Sequence, residues 1–410
     1  MPSLTRATLT LLLSLMPLLA RPALAQGSTL QVQPLGAVQP IAPGYQKLLP
    51  LPRLQLTPSL PEVKSVEYLS NGFLEAAHAM VLLERTRLTP EKLLSLAQRA
   101  AERSFAARSS LNEVDVSVYQ KEGYFGIGGP LPLLTASVPR ARLTQFLALT
   151  PQTLDTYDRL WWNPRTTQVP EPSTPGDLDG GVLERVPEFQ GSQSELRILR
   201  QRQKSAQRTG RVRGGTLFHG DPRSKVAALT FDDAVHPLYA PLILDALRRT
   251  GAKATFFVVG RNVEAYPYFA RDLVREGHEL ANHTYHHLRI TQLSPVVLKD
   301  ELLKTNALIT ALTGQKVRYF RPPGGRFSSA TLRAVRALGL TVAFWTDDPA
   351  DFNNPGPQVI ETRFARFLKP GGILLLHDNA RQTAQTLPDL INDARAGGLR
   401  LVALRDLPTR

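Results

Sequence analysis

The chain has 410 residues, 42% of them hydrophobic and 20% charged, and contains no cysteine. That length accommodates two domains and a leader, and the lack of cysteine excludes a disulfide framework and any thiolate metal site. A formal net charge of +14 favours anionic surfaces such as acidic cell-wall polymers or lipid headgroups, while nucleic acid fits poorly, because no aromatic-rich motif accompanies the basic residues.

Residues 1–25 read as a signal peptide. Arg6 supplies the positive start, Leu9 to Leu19 a short apolar run, and Ala23-Leu24-Ala25 small residues for cleavage before Gln26. An uncleaved anchor is the competing reading; Pro17 and Pro22 interrupt the run, which is short against the roughly 20 residues of a bilayer span. The expected location is the periplasm, cell envelope or extracellular space. Residues 26–61 are rich in proline and read as an extended spacer.

Residues 62–151 are expected to form a small α+β domain. The spacing of Leu69, Phe73, Ala76, Ala77, Met80 and Leu83 predicts a first helix over 66–85. Thr89-Pro90-Glu91 is the start of a second, running to about Arg108. Val114, Val116 and Val118 alternate with Asp115 and Ser117, which predicts a half-buried strand. Leu133 to Val138 returns as another strand, and Arg140 to Leu149 reads as a helix. No catalytic cluster is visible there, and His78 reads as a packed or surface residue. Residues 152–220 read as a linker. Pro170 to Gly176 cannot hold regular structure, and Arg197, Arg200, Arg202, Lys204, Arg208, Arg211 and Arg213 crowd one polar segment with Glu195 the only acid. A solvated linker is the plain reading of that segment; a tether to an anionic wall or membrane surface is the sharper one.

From Val226 onward strands and helices alternate, which predicts a parallel sheet. Helices are expected over 242–249, 268–276, 295–313, 330–338, 359–367 and 387–396, with strands at 254–259 and 400–402. Five further strands each run into reactive side chains: Asp232-Asp233, His283 to His287, Arg321 to Gly325, Asp347 to Asp351, and His377-Asp378. In alternating folds the C-terminal strand ends share one face, where the active site sits.

His283 and His287, four apart, share a face if they lie on one helical turn, with Asp233 as a third, harder ligand. Two imidazoles and a carboxylate leave an open position, the arrangement of a catalytic zinc, and the set also accepts iron, cobalt or manganese. Adjacent aspartates at a strand end project differently, so one can bind an ion while its neighbour accepts a proton. His377, closing an apolar strand, is a candidate general acid. His286 is expected behind the ligands or at the surface, and His219, His236 and His278 at the surface or in structural roles.

The stretch from about Asp221 to Leu407 resembles the polysaccharide deacetylase family, also called carbohydrate esterase family 4 or the NodB homology domain. The resemblance rests on Thr230-Phe231-Asp232-Asp233, His283-Thr284-Tyr285-His286-His287, Arg321-Pro322-Pro323-Gly324, Asp348-Pro349-Ala350-Asp351-Phe352 and Leu375-Leu376-His377, in family order. It implies a distorted (β/α) barrel of seven or eight strands as the catalytic domain, residues 221–410, and one divalent ion, zinc before Co2+, Mn2+ or Fe2+. It assigns Asp233, His283 and His287 to the metal, Asp232 to the base, Arg321 to its clamp, and Asp351 to the partner of His377, with Asp348 an alternative. The Gly324 N–H would contact the oxyanion, and Phe352 and Leu375 would line the acetyl pocket. Gly324 stands where many members carry a bulky aromatic, Phe352 where a tryptophan is expected, and Ala234 where glycine is frequent.

The implied activity is removal of the N-acetyl group from N-acetylhexosamine units of peptidoglycan, a chitin-like polymer or an exopolysaccharide, giving free amine and acetate. The alternatives are the same mechanism on O-acetyl sugars or small cyclic amides, a non-catalytic envelope-binding protein, and a wall-binding or assembly role led by the small domain.

Overall fold

β1 (Val63–Ser70) and β2 (Glu75–Leu83) form an antiparallel hairpin where a helix is predicted. Asn71-Gly72 is the reason. Gly72 takes φ +89°, and Asn71 Oδ1 accepts the N–H groups of Phe73 and Leu74 at 3.0 and 2.8 Å, so the local turn chemistry overrides an apolar spacing that suits either period. The computed structural model describes residues 50–84, 89–124, 129–164 and 214–409. The signal-peptide segment, most of the spacer and the basic segment lie outside the described residues.

α1 (Pro90–Ala107) starts at Thr89, whose side chain accepts from Lys92 N at 3.2 Å. It crosses over to β3 (Glu113–Gln120), which lies parallel to β2. β4 (Leu134–Pro139), the short α2 (Leu143–Leu147) and β5 (Leu160–Trp162) follow, giving the sheet order β1-β2-β3-β4-β5. β5 lies within the stretch read as linker. The end of the predicted spacer is bound as well: Arg53 bridges Glu67 of β1, Leu54 N donates to Val66 O at 2.9 Å, and Leu60 is buried. Leu54, Leu56 and Leu60 supply the apolar contacts that hold it.

β3 is buried on both faces, not half-buried. Val114, Val116 and Val118 pack with Leu93, Ala97 and Ala101 of α1. Asp115 and Ser117 are buried on the other side, where the second sheet's helices cover them.

That second sheet is a distorted (β/α) barrel. Its elements are β6 (Thr216–Leu217), β7 (Val226–Ala234), α3 (Ala240–Thr250), β8 (Thr255–Val258), α4 (Gly260–Ala265), α5 (Pro267–Arg275), β9 (Glu279–Asn282), α6 (Pro295–Thr313), β10 (Tyr319–Phe320), α7 (Ser329–Ala337), β11 (Thr341–Ala343), α8 (Pro357–Phe367), β12 (Ile373–His377), α9 (Arg381–Ala396) and β13 (Arg400–Val402). All its pairings are parallel, in the order β12-β7-β8-β9-β10-β11-β6, with β13 against β7. A parallel bridge between Asp347 and Leu374 brings the chain beyond β11 back to β12, so the sheet curls round on itself. Val226, Ala228, Phe257, Ala281, Ala343 and Ile373 fill its interior. Leu229, Phe231, Phe256, Leu280, Leu374 and Leu376 face the helices. Every residue of β7 is buried, as a strand covered on both faces requires.

The two sheets meet through α3, α4 and α5. Tyr268 OH donates to Asp115 Oδ2 at 2.7 Å, and the Tyr266 hydroxyl lies 3.1 Å from both Ser117 Oγ and Tyr119 OH. Arg159 pairs with Glu113 at 2.8 Å and also with Asp272. Asn71 Nδ2 donates to Asp245 at 3.1 Å. His78 is on β2 rather than a helix, with Nε2 2.9 Å from Ser117 Oγ; burial lowers its pKa to about 4. Among the described residues no helix is long and apolar enough to cross a membrane.

Candidate active site

Asp232 and Asp233 stand at the C-terminal end of β7, and Asp233 adopts φ 65°, so consecutive carboxylates leave the strand in different directions. Asp232 meets Arg321, which follows β10. Arg321 Nη1 donates to Asp232 Oδ1 at 2.7 Å and to Thr230 Oγ1 at 2.9 Å. Nε and Nη2 donate to the carbonyls of Ala343 and Phe344 at 3.1 and 3.3 Å, and the guanidinium lies 4.0 Å from the Phe257 ring centroid. The side chain is wholly buried. A planar five-donor fork is suited to such a site.

Asp233 Oδ1 lies 3.0 Å from His287 Nε2 and 3.5 Å from His283 Nε2. The three residues are buried and their donor atoms fall within 4.8 Å of one another. Tetrahedral bonds of about 2.1 Å place neighbouring ligand atoms about 3.4 Å apart, so the cluster fits a divalent ion. His283 Nδ1 is 2.7 Å from the Arg321 carbonyl. A carbonyl can only accept, so Nδ1 carries the proton and Nε2 keeps its lone pair for a ligand. Burial opposes ionisation of Asp233, yet the two imidazoles hold its pKa well below the usual carboxylate range. Asn379 Nδ2 donates to Asp233 Oδ2 at 3.2 Å.

The histidines do not lie on a helical turn. Thr284 and His287 take φ 67° and 58°, which breaks a helix, and the segment is a loop after β9. Residues that the sequence reading missed hold it. Asn282 Oδ1 accepts Thr284 N at 2.8 Å, and Thr284 Oγ1 accepts His287 N at 2.9 Å. Glu301 of α6, buried, accepts from Tyr285 N at 3.0 Å and His286 N at 2.8 Å, and its other oxygen lies 2.6 Å from His286 Nδ1. His286 thus turns to Glu301 rather than to the cluster. A signal for this existed: Glu301 falls in the stripe Leu298, Leu302, Thr305 and Ile309, all buried, where an acid is out of place unless it has partners.

Across the site, His377 Nδ1 lies 2.8 Å from Asp351 Oδ1, and Asp351 Oδ2 accepts His377 N at 2.7 Å. Thr383 also donates to Oδ2, and Phe352 N to Oδ1 at 2.9 Å. Burial alone would lower the imidazole's pKa, but Asp351, aided by Asp233 and Asp232, raises it to about 10. Asp348 instead accepts Ala350 N at 2.8 Å and shapes the turn that delivers Asp351. The Phe352 ring stands edge-on to His377 at 5.4 Å. Leu375 is buried on β12, two residue pairs before Asp232 and His377, which are opposite each other in the β7–β12 register.

Gly324 and Gly325 take φ 63° and 70° in the turn after Arg321. A Cβ on Gly325 would lie 2.6 Å from the Trp345 ring, so glycine lets the turn approach that indole. Ala234 is buried in β7. His219 and His278 are buried, which fits the structural rather than the surface alternative. His236 donates its backbone N–H to Asp378 Oδ2 at 2.7 Å.

Residues 219–343 match the family model described as polysaccharide deacetylase. A Bacillus cereus protein named peptidoglycan-N-acetylglucosamine deacetylase is 34% identical over 188 residues, which span 45% of this chain and 88% of the relative. The chain belongs to the polysaccharide deacetylase family. Another family member, the peptidoglycan-N-acetylmuramic acid deacetylase PdaA of Bacillus subtilis, is 32% identical over 195 residues, 47% of this chain and 74% of PdaA. A chitooligosaccharide deacetylase of a Bradyrhizobium species is 37% identical over 151 residues, 37% of this chain and 69% of that protein.

Proposed function

We propose that this polysaccharide deacetylase is an exported, metal-dependent hydrolase that removes the N-acetyl group from N-acetylhexosamine units of an envelope polysaccharide, releasing amine and acetate. One observation carries the reading: the Asp232–Arg321 pair and the Asp233, His283 and His287 cluster share a barrel face with the His377–Asp351 pair. The names of the Bacillus relatives favour peptidoglycan as the polymer.

Asp233, His283 and His287 would hold one divalent ion, and their nitrogen and carboxylate donors favour zinc. Such an ion supplies Lewis-acid polarisation of an acyl oxygen and acidifies water. Arg321 occupies Asp232 Oδ1 and leaves Oδ2, 3.7 Å from His283 Nε2, turned towards the cluster. Asp232 then takes the proton of the attacking water as that water bonds to the acetyl carbon. The Gly324 N–H contributes to stabilising the developing oxyanion. His377, held charged by Asp351, gives its proton to the leaving nitrogen as the C–N bond breaks. Phe352 and Leu375 form the apolar wall for the acetyl methyl group. Residues 221–410 carry every one of these groups; residues 1–25 serve export and the basic segment a contact with an anionic wall or membrane surface.

Acetate release from peptidoglycan fragments, chitooligosaccharides and O-acetylated glycans, with zinc, cobalt or manganese supplied, tests the reading. Release from the N-acetylated glycans is expected. Release from O-acetyl esters alone, or from none of them with any of the metals, would overturn it.

A further inference from the structure

Both imidazoles of the metal cluster come from one short loop, and that loop is in a conformation its residues do not favour. Thr284 is β-branched yet left-handed, and His287, which tolerates that region better, is left-handed too. A β-branched residue stays there only when surroundings over-determine the backbone. On one side α4 supplies two donors, Gly260 N to Thr284 O at 2.9 Å and Arg261 N to Tyr285 O at 3.1 Å. On the other side the loop's own N–H groups need an acceptor, and Glu301 is that acceptor.

We propose that Glu301 is the positioning residue of the ligand loop: its carboxylate presets the backbone that aims His283 and His287 at Asp233. This rests on the metal reading above. Glu301 touches none of the three ligand side chains. It binds the two N–H groups between them, Tyr285 and His286, and draws the His286 imidazole away from the cluster. A buried carboxylate has up to four acceptor positions, and three are used here. Without it two backbone donors lose their partner in a buried setting, the left-handed residues relax, and binding an ion must order the loop. Affinity for the ion therefore depends on Glu301. Proton transfer by Asp232 and His377 does not, because neither they nor their partners Arg321 and Asp351 touch it.

The test uses the full-length protein and zinc itself, with the dissociation constant measured by competition against a chromophoric chelator. Glu301→Met keeps the helix and the volume but removes the acceptors. It should weaken zinc binding about ten-fold or more, the scale on which groups behind metal ligands act, while kcat at saturating zinc stays within about three-fold. Glu301→Gln, which keeps one acceptor oxygen for the two N–H groups, should recover most of the affinity. Leu298→Ala, on the same buried stripe, should lower the melting temperature and leave zinc affinity unchanged. Equal affinities for wild type and Glu301→Met would overturn the proposal, as would an equal loss in Leu298→Ala. Wild-type protein that bound no zinc would sink the metal reading first, and this proposal with it.

Discussion

Asp351 grips His377 twice, through Nδ1 of the ring at 2.8 Å and through the backbone N–H at 2.7 Å. One carboxylate thereby fixes both the orientation of the imidazole and its charge. The ring's remaining nitrogen takes no part in that grip, and His377 stands opposite Asp232 in the β7–β12 register.

The alkaline limb of turnover should follow this pair. The folded pKa of His377, about 10, lies above the ordinary 6.5, so the proton needed for the leaving amine is kept through neutral pH. A dication at Asp233 cancels that carboxylate's part of the shift, and the limb of the loaded enzyme should fall below 10. Asp351→Asn leaves burial largely unopposed, so the limb should move towards or below 6.5. Stability follows the same sign: the pair's contribution is complete below about pH 6.5 and fades as pH rises towards 10. Rate–pH profiles and histidine NMR titration of both proteins check this; an unmoved limb in Asp351→Asn would refute the acid role.

His283→Ala should lose bound metal, and Asp232→Asn should keep it. The second variant retains all three donors but cannot accept a proton, so turnover should drop about 100-fold or more. Elemental analysis alongside acetate release separates the two outcomes. Equal metal content in His283→Ala and wild type would contradict the ligand assignment.

Arg321→Met should be costly to the fold as well as to the chemistry. It leaves the buried Asp232 and the carbonyls of Ala343 and Phe344 without their donor. Removing one partner of a buried pair typically costs about 3–5 kcal/mol, which urea denaturation can measure. A loss below about 1 kcal/mol, the range of surface pairs, would show that Asp232 finds another partner.

Gly325→Ala should destabilise for two separable reasons, a left-handed φ of 70° and a contact at 2.6 Å with Trp345. Strain of this kind costs on the order of 1–3 kcal/mol. In a Trp345→Ala background the contact vanishes and only the φ penalty stays, so the loss should shrink. An unchanged loss in the double-mutant cycle would assign the whole effect to the backbone.

Tyr268→Phe tests the junction between the sheets. It removes the hydroxyl that Asp115 Oδ2 accepts from, and Asp115 Oδ1 already has no hydrogen-bond partner among the described residues. A buried group left unsatisfied costs about 1–3 kcal/mol. Differential scanning calorimetry should show a lower melting temperature for the whole chain; no change would mean that the carboxyl recruits another donor.

The barrel was legible because its strands are near-continuous apolar runs that stop at reactive side chains, as β7 stops at Asp232-Asp233. Of the side chains at those strand ends, Asp232, Asp233, His283, His287, Arg321, Asp351 and His377 meet on one face, whereas His286 turns to Glu301. The hairpin of β1 and β2 was misread because Leu69, Ala76, Met80 and Leu83 satisfy a helical spacing too, and only Asn71-Gly72 breaks the tie. The full burial of β3 was out of reach, since Asp115 and Ser117 are covered by helices more than a hundred residues further on. The loop of His283 to His287 is held by Glu301, fourteen residues past His287; the spacing of the histidines does not encode that, and its one trace in the sequence is an acid within the apolar stripe of α6.

The ring of strands divides the site into two inheritances. Asp233, His283 and His287 come from β7 and the end of β9, early in the barrel; Asp351 and His377 come from its closing segment, joined to the first where β12 and β13 run beside β7 and where Asn379 reaches Asp233. The two halves can therefore fail apart. A substitution confined to the His377 ring or the Asp351 carboxylate leaves all three donors of the proposed ion in place. By size and by the metal content proposed above such a variant would pass for the wild type, and a turnover assay would expose it.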